Sequence, residues 1–107
     1  MTRIDFLTLP EGGLVGFSIR GHSGYGEEGT DIVCAAVSSA AYLVVNAITD
    51  ILHVTPMTLL VEDGNMFLRV TPRDEPTCRD FLAGLKLHLQ GLEEQYPEYL
   101  RVSYTEI

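Results

Sequence analysis

The sequence predicts an α+β domain of two layers, an antiparallel sheet of two hairpins plus a C-terminal strand with two helices packed on it, in the order ββαββαβ. Three observations carry this reading. Two pairs of short apolar runs each flank a glycine-containing turn, the signature of hairpins. Two longer stretches carry apolar residues without strand alternation, one apolar nearly all round and one striped at helical spacing. The length of 107 residues supports one domain, spanning residues 1–107, that can bury a core without staples.

The elements follow in order. Thr2 to Leu9 places Ile4, Phe6 and Thr8 on one side and reads as a strand. Pro10-Glu11-Gly12-Gly13 is a turn, and Leu14 to Arg20 alternates cleanly, with Val15, Phe17 and Ile19 inward. Gly21 to Gly29 is a loop carrying Gly21, Gly24, Gly26 and Gly29, expected to be mobile, with Tyr25 as a lid residue. Asp31 suits the N-cap of a first helix running from Ile32 to about Leu52. That helix is apolar on all sides, so either other elements or a second subunit must cover it. His53 reads as a capping residue at its end. Met57 to Glu62 and Met66 to Thr71 form the second hairpin around Asp63-Gly64-Asn65. After an acidic linker at Pro72 to Pro76, Thr77 is expected to cap a second helix with Asp80 three positions on. Its core stripe is Phe81, Leu82, Leu85, Leu89, Leu92 and Tyr96, and Gly84 and Gly91 are expected to admit a close helix neighbour. Leu100, Val102 and Tyr104 alternate as the last strand.

Composition narrows the function. A net charge of −8 disfavours nucleic acid, whose phosphates reward a basic surface, and would draw a basic partner. Two cysteines, at 34 and 78, and an N-terminus without a signal sequence point to a reducing, cytoplasmic setting with free thiols. The apolar run from Ile32 to Thr49 contains Ser38, Ser39 and Asn46 and lacks basic flanks, which makes it a core helix rather than a membrane span. No cysteine or histidine spacing fits a zinc site, and no cofactor is implied. The glycine loop is not a phosphate cradle, because it offers Glu27 and Glu28 where a lysine would be needed.

What remains is a nucleophile pattern. With Asp31 as cap, Cys34 falls in the first helical turn, where the helix dipole favours a thiolate. His22 in the glycine loop can serve as its base and acid, and first-turn N–H groups could form an oxyanion hole. Ser38 lies one turn on from Cys34 on the same face. Cys78 also sits early in a helix but has no histidine or glycine loop beside it, and reads as a bystander. On these residues alone a thiol hydrolase competes with a non-catalytic ligand-binding or scaffold domain whose loop grips a partner.

Gly21-His22, the glycines after it, and Gly29-x-Asp31-Ile32-Val33-Cys34-Ala35-Ala36-Val37-Ser38 resemble the signature of the ribosomal-processing cysteine protease family (Prp). The resemblance spans the chain and implies a dimeric α+β protease. Its expected activity is removal of a short N-terminal extension from a bacterial large-subunit ribosomal protein, cutting after an aromatic pair. It implies Cys34 as nucleophile and His22 as general base, with Asp31 and Ser38 at the supporting polar positions. Ser23 stands where the family more often has alanine. The implied partners are the N-terminal peptide of a basic ribosomal protein and a second copy of the chain.

Overall fold

The computed structural model describes residues 1–27 and 31–107. The order is β1 (Thr2–Thr8), β2 (Leu14–Arg20), α1 (Ile32–Asn46), β3 (Thr58–Glu62), β4 (Asn65–Arg69), α2 (Glu75–Gln95) and β5 (Leu100–Glu106). The two-layer α+β arrangement is the expected one. Its strands lie in the order β3-β4-β2-β1-β5. The two hairpins join through antiparallel β2 and β4, and Phe17 faces Leu68 across that seam.

The sheet departs from the antiparallel expectation at β5, which runs parallel to β1, with Thr2 opposite Leu100 and Phe6 opposite Tyr104. The reason lies in the connections. Each helix carries the chain back across the sheet between strands of the same direction, β2 to β3 through α1 and β4 to β5 through α2. The chain thus re-enters at the end where β1 begins, and the Thr2 N–H donates to the Tyr99 carbonyl at 3.0 Å. Asp5 then holds the parallel pair by accepting the Ser103 hydroxyl at 3.1 Å and the Thr105 hydroxyl at 2.5 Å. Glu93 of α2 takes the outward N–H of Val102 at 2.7 Å, satisfying part of an otherwise open edge.

The core lies between sheet and helices. Ile4, Phe6, Val15 and Phe17 from the sheet meet Val33, Val37, Ala41, Leu82 and Leu89 from the helices. Helix α1 continues through a π-helical turn at Ala47–Ile51 and stops at His53, whose φ of 55° is the left-handed C-terminal cap conformation. The stretch Ile32–Ile51 is long and apolar enough to cross a membrane by length and composition, but its inner face packs into this core.

Helix α2 begins two residues before the expected Thr77 cap. A 3₁₀ turn at Pro72–Asp74 leads into it, closed by the Thr71 hydroxyl on Asp74 at 3.1 Å. Pro76 is tolerated in the first turn because its missing N–H would have had no helical partner. Glu75 there is buried, and the Arg79 guanidinium grips it at 2.8 and 2.9 Å, which holds its carboxyl below the usual range against the opposing effect of burial. Two expectations for α2 fail. Phe81 is 39% exposed, on the rim of an open groove between the helices rather than in the core. Gly84 and Gly91 have open space above them, with no close neighbour within the described residues.

Candidate active site

Asp31 builds the site from its centre. As N-cap of α1, its Oδ1 accepts the N–H groups of Val33 at 2.9 Å and Cys34 at 3.0 Å. Its Oδ2 accepts the Ser23 hydroxyl in a short hydrogen bond and the Gly26 N–H at 3.4 Å. Burial pushes the Asp31 carboxyl up, yet these donors outweigh it and hold the group well below the usual carboxylate range. One anion therefore does two things: it starts the helix and fastens the glycine loop to it.

The loop is anchored elsewhere as well. Ser23 is buried, and its hydroxyl accepts the Tyr25 N–H at 3.1 Å. The Tyr25 ring stands edge-on to Tyr96 and Tyr99, with centroids 5.6 and 5.2 Å away. Gly21 and Gly24 adopt φ of +87° and +79°, values that an L side chain would strain. Gly29 lies outside the described residues.

Cys34 is half-buried in the first turn of α1, as its capping residue requires. Its Sγ accepts the backbone N–H of Ser23 at 3.1 Å and lies 3.9 Å from the Thr2 hydroxyl. Cys78 shares the position near a helix start but not the surroundings. It is fully buried, and burial together with the charges of Asp74 and Glu75 pushes its thiol up, away from the thiolate.

His22 and Cys34 both line a cleft of about 110 Å³ that also includes Ser38, Tyr42, Glu62 and Asp63. The His22 ring rests on the turn of the second hairpin. A Cβ added at Gly64 would come within 2.9 Å of His22 Nε2, and the Gly21 N–H donates to the Gly64 carbonyl at 2.9 Å. Among the described residues no hydrogen bond joins His22 to Cys34. Ile19, Val37 and Met66 form an apolar wall.

The structure thus brings His22, Asp31, Cys34 and Ser38 together, and corrects one expectation. The N–H groups of Val33, Cys34 and Ala35 are not free for an oxyanion hole, because Val33 and Cys34 donate to the Asp31 side chain and Ala35 to its carbonyl at 3.0 Å. A capping carboxylate and a substrate oxyanion compete for the same donors, and the cap holds them. Sequence reasoning missed Thr2 and Gly64, which reach the site only through the sheet. Ser23 was visible as the neighbour of His22, but no local pattern shows its amide turned toward Sγ.

The family described as Cysteine protease Prp matches residues 1–101. The chain is 30% identical over 96 residues to the ribosomal processing cysteine protease Prp of Bacillus subtilis, covering 85% of this chain and 86% of that one. Identity is also 30% over 105 residues to the Staphylococcus aureus protein of the same name, covering 97% and 99% of the two chains. The fold superposes on S. aureus Prp in complex with a covalently linked product peptide with a TM-score of 0.89, at 30% identity, covering 98% of this chain and 100% of that one. The S. aureus structure with a substrate peptide gives 0.84 at 29% identity, with the same coverage. With sequence and fold matched along almost their whole length, the chain belongs to the Prp family of ribosomal-processing cysteine proteases.

Proposed function

We propose that this protein is a cysteine endopeptidase that removes an N-terminal extension from a basic ribosomal protein, with Cys34 as nucleophile and His22 as base and acid. The observation that carries the proposal is the setting of Cys34 Sγ: it sits in the first turn of α1, receives a backbone N–H, and lines the cleft together with His22. The peptide complexes of the S. aureus relative support the substrate class.

The chemistry is an acyl transfer in two halves. His22 takes the Cys34 proton, and the thiolate adds to the scissile carbonyl, forming the C–S bond and moving the π pair to oxygen. Collapse breaks the C–N bond, and the His22 imidazolium protonates the departing amine. Water, deprotonated by His22, then adds to the thioester; a second collapse releases the carboxyl product and restores the thiolate. To act in this way His22 must leave its seat on Gly64 and reach Sγ. A peptide filling the cleft supplies the occasion, which would keep the resting thiol from cutting at random. The apolar wall of Ile19, Val37 and Met66, with Tyr42 beside it, is the surface suited to aromatic side chains before the cut.

Two further assignments belong to this reading. The outer side of α1 exposes Ile32, Leu43 and Ile51, at 56%, 68% and 69%. Beside it the groove with α2 is lined by Ala36, Ala40, Phe81 and Gly84. We assign this face to a homodimer. A ribosomal protein substrate places the reaction in the cytoplasm. Incubation with a peptide copying the N-terminus of the host's ribosomal protein, followed by mass spectrometry, tests the function. A single cut after the aromatic pair is expected. An intact peptide that nonetheless binds would favour the non-catalytic binding role instead.

A further inference from the structure

Thiolate attack on a carbonyl needs a donor for the oxygen that becomes charged, and three N–H groups at the helix start are already engaged. The N–H groups of Val33, Cys34 and Ala35 all end on Asp31. The Ser23 amide is different: it donates to Cys34 Sγ itself, at 3.1 Å. Resting on the reading of Cys34 as nucleophile, we propose that the Ser23 backbone N–H is the oxyanion donor of this protease, aimed by the hydrogen bond of the Ser23 hydroxyl to Asp31.

The argument follows the charge. As the C–S bond forms, the carbonyl π pair moves to oxygen, so negative charge leaves Sγ and arrives on an atom bonded to the same carbon. A donor already directed at the sulfur needs only a small reorientation to follow it. Oxygen is also the harder and stronger acceptor, so the bond strengthens between the attacking thiolate and the transition state. That gain is what accelerates a reaction, since a contact equally strong in both states does not. The donor is also preorganised. Ser23 is buried at 3% exposure, its hydroxyl donates to Asp31 Oδ2, and the same oxygen accepts the Tyr25 N–H at 3.1 Å. The His22–Ser23 peptide unit is held by the bond to sulfur, the Ser23 side chain by Asp31, and the Gly24–Tyr25 peptide unit by the Ser23 hydroxyl. The Thr2 hydroxyl is the competitor, but at 3.9 Å it is farther from Sγ.

The test removes the N–H alone, using full-length semisynthetic protein with an ester in place of the His22–Ser23 amide. Turnover and affinity for a peptide aldehyde, which forms a tetrahedral adduct with the thiol, are expected to fall together by roughly 100-fold. Alkylation of Cys34 by iodoacetamide, which builds no oxyanion, should change by only about 3-fold at a pH above the thiol titration. Ser23→Ala, which keeps the N–H and loses its aim, should lower kcat and aldehyde affinity by about 10-fold with little change in KM, and Ser23→Thr should restore both. If the ester protein fails to fold, this pair decides. Wild-type aldehyde affinity in the ester protein, or in Ser23→Ala where that pair decides, overturns the assignment. So does a loss that disappears at high pH with a displaced alkylation profile, which would make the amide a thiolate stabiliser only, or a larger loss in Thr2→Val than in the ester protein. Should the wild-type protein leave the ribosomal peptide uncut, the aldehyde comparison still reads the donor, so the two claims fail separately.

Discussion

At the scale of single residues, the two cysteines provide the sharpest contrast. Cys34 is half-buried at a helix start and hydrogen-bonded through sulfur, while Cys78 is enclosed by core and faced by carboxylates. Cys34→Ala is expected to abolish cleavage with the fold retained, and Cys78→Ala to cost about 1 kcal/mol of stability while leaving turnover nearly unchanged. Iodoacetamide should label Cys34 first, as peptide mapping would show. Loss of activity in a folded Cys78→Ala protein would reverse the assignment. Asp31 gives a second prediction, on pH. Its folded pKa lies below the unfolded value of about 3.9, so the stability it contributes is complete above that value and is lost as pH falls through the folded one. The difference in unfolding free energy between wild type and Asp31→Asn should therefore be constant from pH 8 to about pH 5 and shrink only below roughly pH 4. The capping role of Asp31 was legible in the sequence because a cap is a local interaction. Its hold on Ser23 and Gly26 was not, because those contacts depend on how the loop folds back.

At the scale of elements, the glycine loop is a tethered segment. Its described part is fastened through Ser23, through the Gly26 N–H on Asp31 and through the Tyr25 ring on Tyr96 and Tyr99. These tethers place its gating, if His22 is to swing onto Cys34, in bonds that break and re-form rather than in slack backbone. Gly26→Pro removes one tether and stiffens the chain at once. It should lower turnover at least 10-fold, with less than about 1 kcal/mol of stability lost, since an exposed loop adds little to the core. Kinetics and thermal unfolding of the same preparation check this, and normal turnover would leave the glycines as a plain connection. Local chemistry revealed this loop, both hairpins and both helices. The direction of β5 was hidden, because alternation in Leu100, Val102 and Tyr104 is the same for a parallel or an antiparallel partner. Phe81 misled for a related reason: helical spacing marks a stripe, but only packing shows that the stripe's edge opens onto a groove.

At the scale of the whole molecule, two properties of the surface call for partners. The first is the apolar outer face of α1. If it is the dimer contact, light scattering at micromolar concentration should give twice the monomer mass of 11.8 kDa, and Leu43→Glu, at a 68% exposed position, should give a folded monomer. A monomeric wild type under those conditions ends that assignment. The second is charge. At −8 the molecule would draw a basic peptide such as the proposed ribosomal tail over distances greater than any contact, and Glu62 and Asp63 extend that field to the cleft. Exposed charges are screened within about 8 Å at physiological salt, whereas the aromatic contacts proposed for the cleft would not be. Raising salt from 50 to 500 mM should therefore reduce kcat/KM for a peptide that keeps its basic flank, by about 10-fold, through slower capture. A peptide trimmed to the residues around the cut should respond much less, and kcat should change little for either. Glu62→Gln with Asp63→Asn should remove part of the salt dependence for the longer peptide alone. If both peptides respond to salt alike, the acidic surface serves solubility, and recognition is confined to the cleft.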